Sequence, residues 1–410
     1  MIILNIRKEI KGLIIDINHL KKDAKLMILS DFIAWIAYGV YYTIYQFYLI
    51  NAGYDGIMIG IVFMVYNMTS SILMIPGGLI ADTYGRKRTF IIGTLLSIPP
   101  LLMIIFSTYF PIVLLSSIIL GLSYAFSGPI FSALFADTLD RSEMDFGFSV
   151  IALFQSFSFA IGSIFGWIPN ILNKKFNYTL IDSYKVVLGL IVILIFVSII
   201  PILIIKPINK IKRRKSLNLR IKSSRIALKF MIINAIVAFG AGITIQMFGY
   251  YFYKKFGIKE DAYGTLSFIT NIVCSPTFLI APKLSQKIGI LTTIIYTQLA
   301  SVPGLIFITF SPNFAIASII FIYRQVMMNM ANPLIGSLLM KLIKEEERAT
   351  VNSLSTLSWS ISNALGMPIG GYMIDNIMVD LPPYVTSIFY IVYVILFYVL
   401  MRNEAYDNNR

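Results

Sequence analysis

The chain has 410 residues, 57% of them apolar and only 13% charged, with a mean hydropathy of +0.79. Soluble proteins run to roughly 25% charged and 45–50% apolar, and 34 basic plus 20 acidic side chains cannot clothe a water-facing surface of this length without leaving large apolar patches. A soluble globular enzyme, a disordered chain and a nucleic-acid-binding protein are thereby excluded, and the net charge of +14 reads by position, as orientation in a bilayer.

In chain order, residues 1–24 mix Ile and Leu with Lys and Arg, without a continuous apolar core or a small-residue cleavage site. They are expected to be a cytoplasmic amphipathic segment on the anionic inner leaflet rather than a signal peptide. Twelve continuously apolar runs follow, near 26–50, 56–80, 89–108, 111–136, 148–169, 183–205, 229–253, 262–284, 288–310, 314–341, 351–374 and 384–401. Each is about the 20 residues that a helix needs to span the hydrocarbon, and none alternates as barrel strands do. Short punctuators stand between runs at Asn51-Ala-Gly53, Ser311-Pro-Asn313 and Leu381-Pro-Pro383. The basic stretch 206–228 reads as a cytoplasmic linker, and 403–410 as a cytoplasmic tail. The single cysteine, Cys274, and the single histidine, His19, leave no disulfide, no cysteine metal cluster and no histidine relay within the membrane; no cofactor is expected.

Lys and Arg set the orientation. With the N-terminus inside, 27 of the 34 basic residues fall in cytoplasmic segments and six in outer loops, with Arg324 inside a helix. This positive-inside bias places both termini in the cytoplasm of a cell-membrane protein. A shift of 204 residues superposes Gly60 on Gly264, Gly85 on Gly289, Pro129 on Pro333, Gly162 on Gly366 and Gly166 on Gly370. Gly and Pro have backbone roles that other residues replace poorly. Their coincidence over six helices predicts two parallel six-helix bundles, residues 25–205 and 229–402, related by an axis along the membrane normal.

After the second run comes Gly77-Gly-Leu-Ile-Ala-Asp82-Thr-Tyr-Gly85-Arg86-Lys87-Arg88. At Gly78, Asp82, Gly85, Arg86, Lys87 and Arg88 it resembles the signature loop of the major facilitator superfamily, G-x-x-x-D-x-x-G-R-[KR]-[RK]. Gly78 is expected to allow close helix approach, Asp82 to accept hydrogen bonds at a helix end, and Gly85 to make the tight turn. The resemblance implies the twelve-helix fold of that family and a gating role for this loop, which there latches the two halves in the outward-facing state. The second-half counterpart keeps Gly289 but has Gln286 in place of the acid. Two departures lower the case for a proton-driven drug exporter. Ser117 stands where many proton-coupled members carry Arg on helix four, and the nearest match to the antiporter G-P-x-x-G-G is Gly366-Met-Pro-Ile-Gly-Gly371, on helix eleven.

Charges at membrane depth cost about 2.5–3.5 kcal/mol, so each invites a function. Arg324, ten residues into helix ten, is the only basic residue near the midplane, and its planar fork suits a carboxylate or phosphate; a structural tie is the alternative. Asp31, five residues into helix one, is a partly desolvated carboxylate able to exchange a proton; pairing with Arg324 across a central cavity is conceivable. The resemblance places helices one, four, seven and ten on the substrate path, with two, five, eight and eleven beside it. Those helices offer Tyr42, Gln46, Tyr124, Gln155, Asn234, Gln246, Gln325, Asn329 and Asn332 near mid-depth, each of which could equally bond between helices. Pro129 and Pro333 would bend helices four and ten at a gate.

The leading expectation is a monomeric secondary transporter that moves a small organic solute, anionic on the strength of Arg324, by alternating access coupled to protons. No G-x-x-x-x-G-K-[ST] loop supplies ATP chemistry,. Proton-coupled multidrug efflux is the alternative within the class, and a non-transporting membrane sensor the alternative outside it. An intramembrane enzyme lacks the residues it would need.

Overall fold

The computed structural model of the chain describes residues 19–206, 224–343 and 347–407. These residues form twelve helices and one 3-10 turn at Arg141–Glu143, without strands. The helices are α1 (Lys22–Asn51), α2 (Gly56–Tyr84), α3 (Arg86–Leu95 and Ile98–Phe106), α4 (Phe110–Thr138), α5 (Met144–Ile164 and Trp167–Phe176) and α6 (Leu180–Ile204). In the second half follow α7 (Ser224–Thr244 and Phe248–Phe256), α8 (Glu260–Cys274 and Thr277–Ile288), α9 (Ile290–Thr309), α10 (Phe314–Asn329 and Asn332–Leu342), α11 (Arg348–Asn376) and α12 (Leu381–Asp407). Ten of the twelve are long and apolar enough to cross a membrane. The other two, α8 and α11, are helices that join the halves.

The helices run past the apolar runs because their ends leave the hydrocarbon: α5 continues through Lys174 and Lys175 to Phe176, and α1 begins at Lys22. Leu381-Pro-Pro383 does not separate two helices but opens α12, since a proline in the first turn gives up only an N–H that has no partner anyway. Asp55, Thr179 and Asn313 cap α2, α6 and α10, each side chain accepting from a backbone N–H of the first turn at 2.8–3.1 Å. Five helices are broken in the middle, and in α3, α5, α8 and α10 a proline stands at or just after the break, where its missing N–H interrupts the ladder. Pro129 lies within an unbroken α4, whereas Pro333 opens the second segment of α10, so the matched prolines shape the two halves differently. The amphipathic segment at 1–18, the linker at 207–223 and the last residues, 408–410, lie outside the described residues; 22–24 belong to α1 and 224–228 to α7.

The repeated glycines explain the packing. A Cβ on Gly162 of α5 would strike the Ile36 carbonyl of α1, and one on Gly366 of α11 would strike the Phe239 carbonyl of α7. The same glycine thus lets a helix lie on its neighbour in each half. A second matched pair works between halves: Gly60 of α2 lies against the Met367–Pro368 backbone of α11, and Gly264 of α8 against the Ser163 carbonyl of α5. These two seams, α2 on α11 and α5 on α8, with lesser contacts of α1, join the halves. One end of the molecule carries Lys21, Arg86, Lys87 and Lys341; the opposite, far end holds a large aromatic core that includes Tyr48, Tyr184, Tyr251, Phe252 and Phe321.

Candidate functional site

Two adjoining cavities, of about 380 and about 190 Å³, open within the N-terminal half and share Ala34, Tyr38, Thr94, Tyr124 and Ser127 as walls. Asp31 lines the larger one and is only 6% exposed. Gln155 and Trp35 face its carboxylate, while Oδ2 has no partner among the described residues. Tyr38 and Tyr124 are 40% and 45% exposed, at mid-depth, where Trp35 meets Tyr38 edge-on at 5.2 Å. Of the residues expected to line a substrate path, this cavity gathers Asp31, Tyr124 and Gln155.

The next group belongs to the far-end closure. Gln46 is buried and its amide donates toward the Gln246 carbonyl at 3.5 Å, in the break of α7, while Tyr42 meets Tyr263 of α8. Around them lie residues that the sequence reading passed over. The Tyr184 hydroxyl donates to Glu260 Oε2 at 2.6 Å; Glu260 is 1% exposed and its other oxygen has no partner among the described residues. Asn170 donates to Asp261 at 2.5 Å and the Trp167 indole to Thr265 at 3.0 Å. On the other seam Asp375 of α11 accepts from the Gly56 backbone N–H at 2.6 Å, from the Tyr250 hydroxyl at 2.7 Å and from Lys254 at 2.9 Å. A carboxylate so placed satisfies an open N–H at the start of α2 and complements its dipole. Acids flanking the far-end turns, Glu260, Asp261 and Asp375, were the signal available in the sequence.

At the basic end, Gly85 turns with φ 99° as expected. Gly78 makes no close approach: a Cβ there would meet open space, and its neighbour Gly77 is the one pressed on the Ala125 carbonyl of α4. Arg86 bridges Asp82 at 3.1 Å and Asp137 at 2.7 Å, Lys87 donates to the Leu203 and Ile205 carbonyls, and Arg88 is exposed. Among the described residues all these partners lie in the N-terminal half, so the loop ties α2, α4 and α6 to one another. Asp137, the second partner of Arg86, was missed. At the 204-residue shift Arg86, Asp82 and Asp137 become Ile290, Gln286 and Lys341, so this charge relay has no counterpart there.

Arg324 sits within the C-terminal half, 1% exposed. Nη2 donates to the Tyr390 hydroxyl at 2.8 Å and Nη1 to Gln325 Oε1, with the guanidinium 5.5 Å from the Tyr390 ring centroid. Gly304 of α9 makes room for its stem, since a Cβ there would lie 2.8 Å from Arg324 Cβ. Arg324 and Asp31 are therefore not paired, and Gln325 serves Arg324 instead of a cavity. Asn332 is exposed and donates to Asn329 at 3.3 Å across the break of α10. Asn234 is half-buried on α7, and Cys274 is buried.

Comparison with known proteins agrees with this architecture. The family model described as Major Facilitator Superfamily matches residues 27–231 and 230–409. No curated protein matches the sequence. Among solved structures, a mutant of the nucleoside transporter NupG superposes with a TM-score of 0.76 at 15% identity, over 93% of this chain and 100% of that one. A bacterial homolog of the human lysosomal transporter Spinster, inward-facing and occupied, gives a TM-score of 0.76 at 13% identity, over 92% and 96% of the chains. The POT family transporter PepTSo gives a TM-score of 0.72 at 12% identity, over 93% and 98%.

Proposed function

The chain belongs to the major facilitator superfamily, and on that premise we propose that it is a monomeric secondary transporter that carries a small organic solute across the cell membrane by alternating access. As a multi-pass membrane protein of this family it is a transporter and not an enzyme. Its structural neighbours include a nucleoside transporter, a homolog of a lysosomal transporter and a POT family transporter, so the shared fold leaves the solute to the site.

The observation that carries the reading is the placement of the polar bonds between halves. Tyr184 to Glu260, Asn170 to Asp261, Trp167 to Thr265 and Gly56 to Asp375 all lie toward the far end, while among the described residues the signature loop at the basic end bonds within its own half. The basic residues put that loop end in the cytoplasm; the state described is then open inward and sealed outward, with both termini inside. A proton is the coupling ion this reading favours, because Asp31 is the acid in the cavity wall. The anionic solute expected from Arg324 gains no support, since the guanidinium is bonded to Tyr390 and Gln325 and closed off from the cavity.

Cysteine accessibility tests the reading without knowledge of the solute. In a Cys274→Ser background, Tyr38→Cys in oriented vesicles should react with a membrane-impermeant maleimide from the cytoplasmic side. Oxidative cross-linking of Trp167→Cys with Thr265→Cys should abolish any labelling from the outer side. Labelling from the outer side that persists under the cross-link, or a Tyr38→Cys unreactive from the cytoplasm, overturns the proposal.

A further inference from the structure

The N-terminal half is hollow where the C-terminal half is filled. At the 204-residue shift, Leu120 of α4 stands where α10 has Arg324, and Thr94 of α3 where α9 has Gln298. Arg324 and Gln298 are buried; Leu120 and Thr94 line the smaller cavity instead. The repeat thus keeps the backbone frame in both halves and opens a chamber in one of them.

That chamber contains a carboxyl group with no basic side chain beside it. Asp31 is nine-tenths buried in its wall, Oδ2 has no hydrogen-bond partner among the described residues, and no Lys or Arg lines either cavity. An uncompensated buried carboxylate is costly, and a cation brought in by a ligand removes that cost. Five aromatic side chains, Trp35, Tyr38, Phe90, Tyr124 and Phe131, share the rest of that wall with hydroxyl-bearing and small residues. Trp35, Tyr38 and Tyr124 surround the approach to the carboxylate, and the faces of such rings attract positive charge. A solute anion would meet Asp31 directly. A metal ion would want several oxygen ligands, whereas the described residues hold no group of three metal-binding side chains.

We infer that the N-terminal half binds a monovalent organic cation, its charge against the Asp31 carboxylate and its apolar body among Trp35, Tyr38 and Tyr124, with Gln155 holding the carboxylate in place. This names the solute class for the transporter proposed above and rests on that reading. The combined chamber has the size of a small-molecule pocket, which runs from about 300 to 1,000 Å³.

Tetraphenylphosphonium and tetraphenylborate, alike in shape and opposite in charge, test it on the purified full chain by equilibrium dialysis. The phosphonium should bind saturably and the borate more weakly. Asp31→Asn should weaken phosphonium binding by roughly tenfold or more, as losing one member of a desolvated charge pair does, and should erase the preference over the borate; Asp31→Glu should restore it. If Asp31→Asn fails to fold, Tyr124→Ala should weaken phosphonium binding by a similar factor. No saturable phosphonium binding, equal binding of the two ions to the unaltered chain, or undiminished binding to a folded Asp31→Asn overturns the inference. Spin-label distances across the far-end seam separate the two readings. A seam that opens and closes in a chain that ignores the phosphonium sinks the cation site and keeps the transporter. A seam that never opens in a chain that binds it does the reverse.

Discussion

Two buried charged groups, Arg324 and Glu260, have opposite duties. Arg324 is an internal strut: Tyr390 and Gln325 accept hydrogen bonds from its two terminal nitrogens and Gly304 receives its stem. Arg324→Ala should lower stability by about 2–4 kcal/mol, through the void and the unpaired Tyr390 hydroxyl, whereas Arg324→Met, which refills the volume, should cost much less; thermal melts in detergent read the difference. Glu260 takes its hydrogen bond from across the halves, from the Tyr184 hydroxyl of α6, so on the proposed cycle it is bonded while the far end is shut. Tyr184→Phe strands both its oxygens in that state alone, a penalty of about 1–3 kcal/mol. The outward-open population should rise by roughly tenfold for every 1.4 kcal/mol, visible as a longer spin-label distance across α5 and α8; an unchanged distance distribution would show that the bond is not a latch. Arg324 was legible in the sequence as a lone charge in an apolar run. Its partner was not, because Tyr390 lies 66 residues away and nothing local tells which face of α10 turns inward. Glu260 escaped notice for a different reason: a carboxylate in the first residue of a helix reads as an ordinary dipole partner.

Helices carry the second set of consequences. The apolar runs located all twelve elements because the bilayer demands a minimum length, and Gly85 announced its turn. What the runs could not convey was where helices touch. Gly78 and Gly77 are neighbours of the same type, yet only Gly77 is pressed on α4, since side-chain phase around a helix depends on where its partners sit. Gly78→Ala should therefore leave thermal stability unchanged or raise it by about 0.5–1 kcal/mol, the ordinary gain for removing a glycine from a helix, while Gly77→Ala should lower it. At the seams the outcome is conformational as well. A side chain at Gly264 must push α8 away from the Ser163 carbonyl of α5; Gly264→Val should slow Trp167→Cys to Thr265→Cys cross-linking severalfold, and cross-linking at the parental rate would refute the close contact.

Taken whole, the molecule is two copies of one frame with unequal contents. The repeat was readable from Gly and Pro spacing, but the chamber was not, because a cavity is made by what side chains fail to fill, and Leu120 or Thr94 gives no hint of that until helices surround it. Since the halves meet at two seams, they should recognise one another without a covalent link. Co-expressed as separate pieces cut between Asn209 and Lys210, they should co-purify and regain the cavity-dependent labelling of Tyr38→Cys, and pieces that never associate would show that the seams are too weak alone. The seams themselves carry a historical consequence. The second helix of each half rests on the fifth helix of the other, through the matched glycines Gly60 and Gly264. That reciprocity is the rule of an isologous interface, in which one surface patch serves both partners of a two-fold dimer. An ancestral chain of half this length could thus have paired with itself through a single such patch, and gene fusion then freed each copy to specialise, one keeping an empty chamber and the other closing it with an arginine.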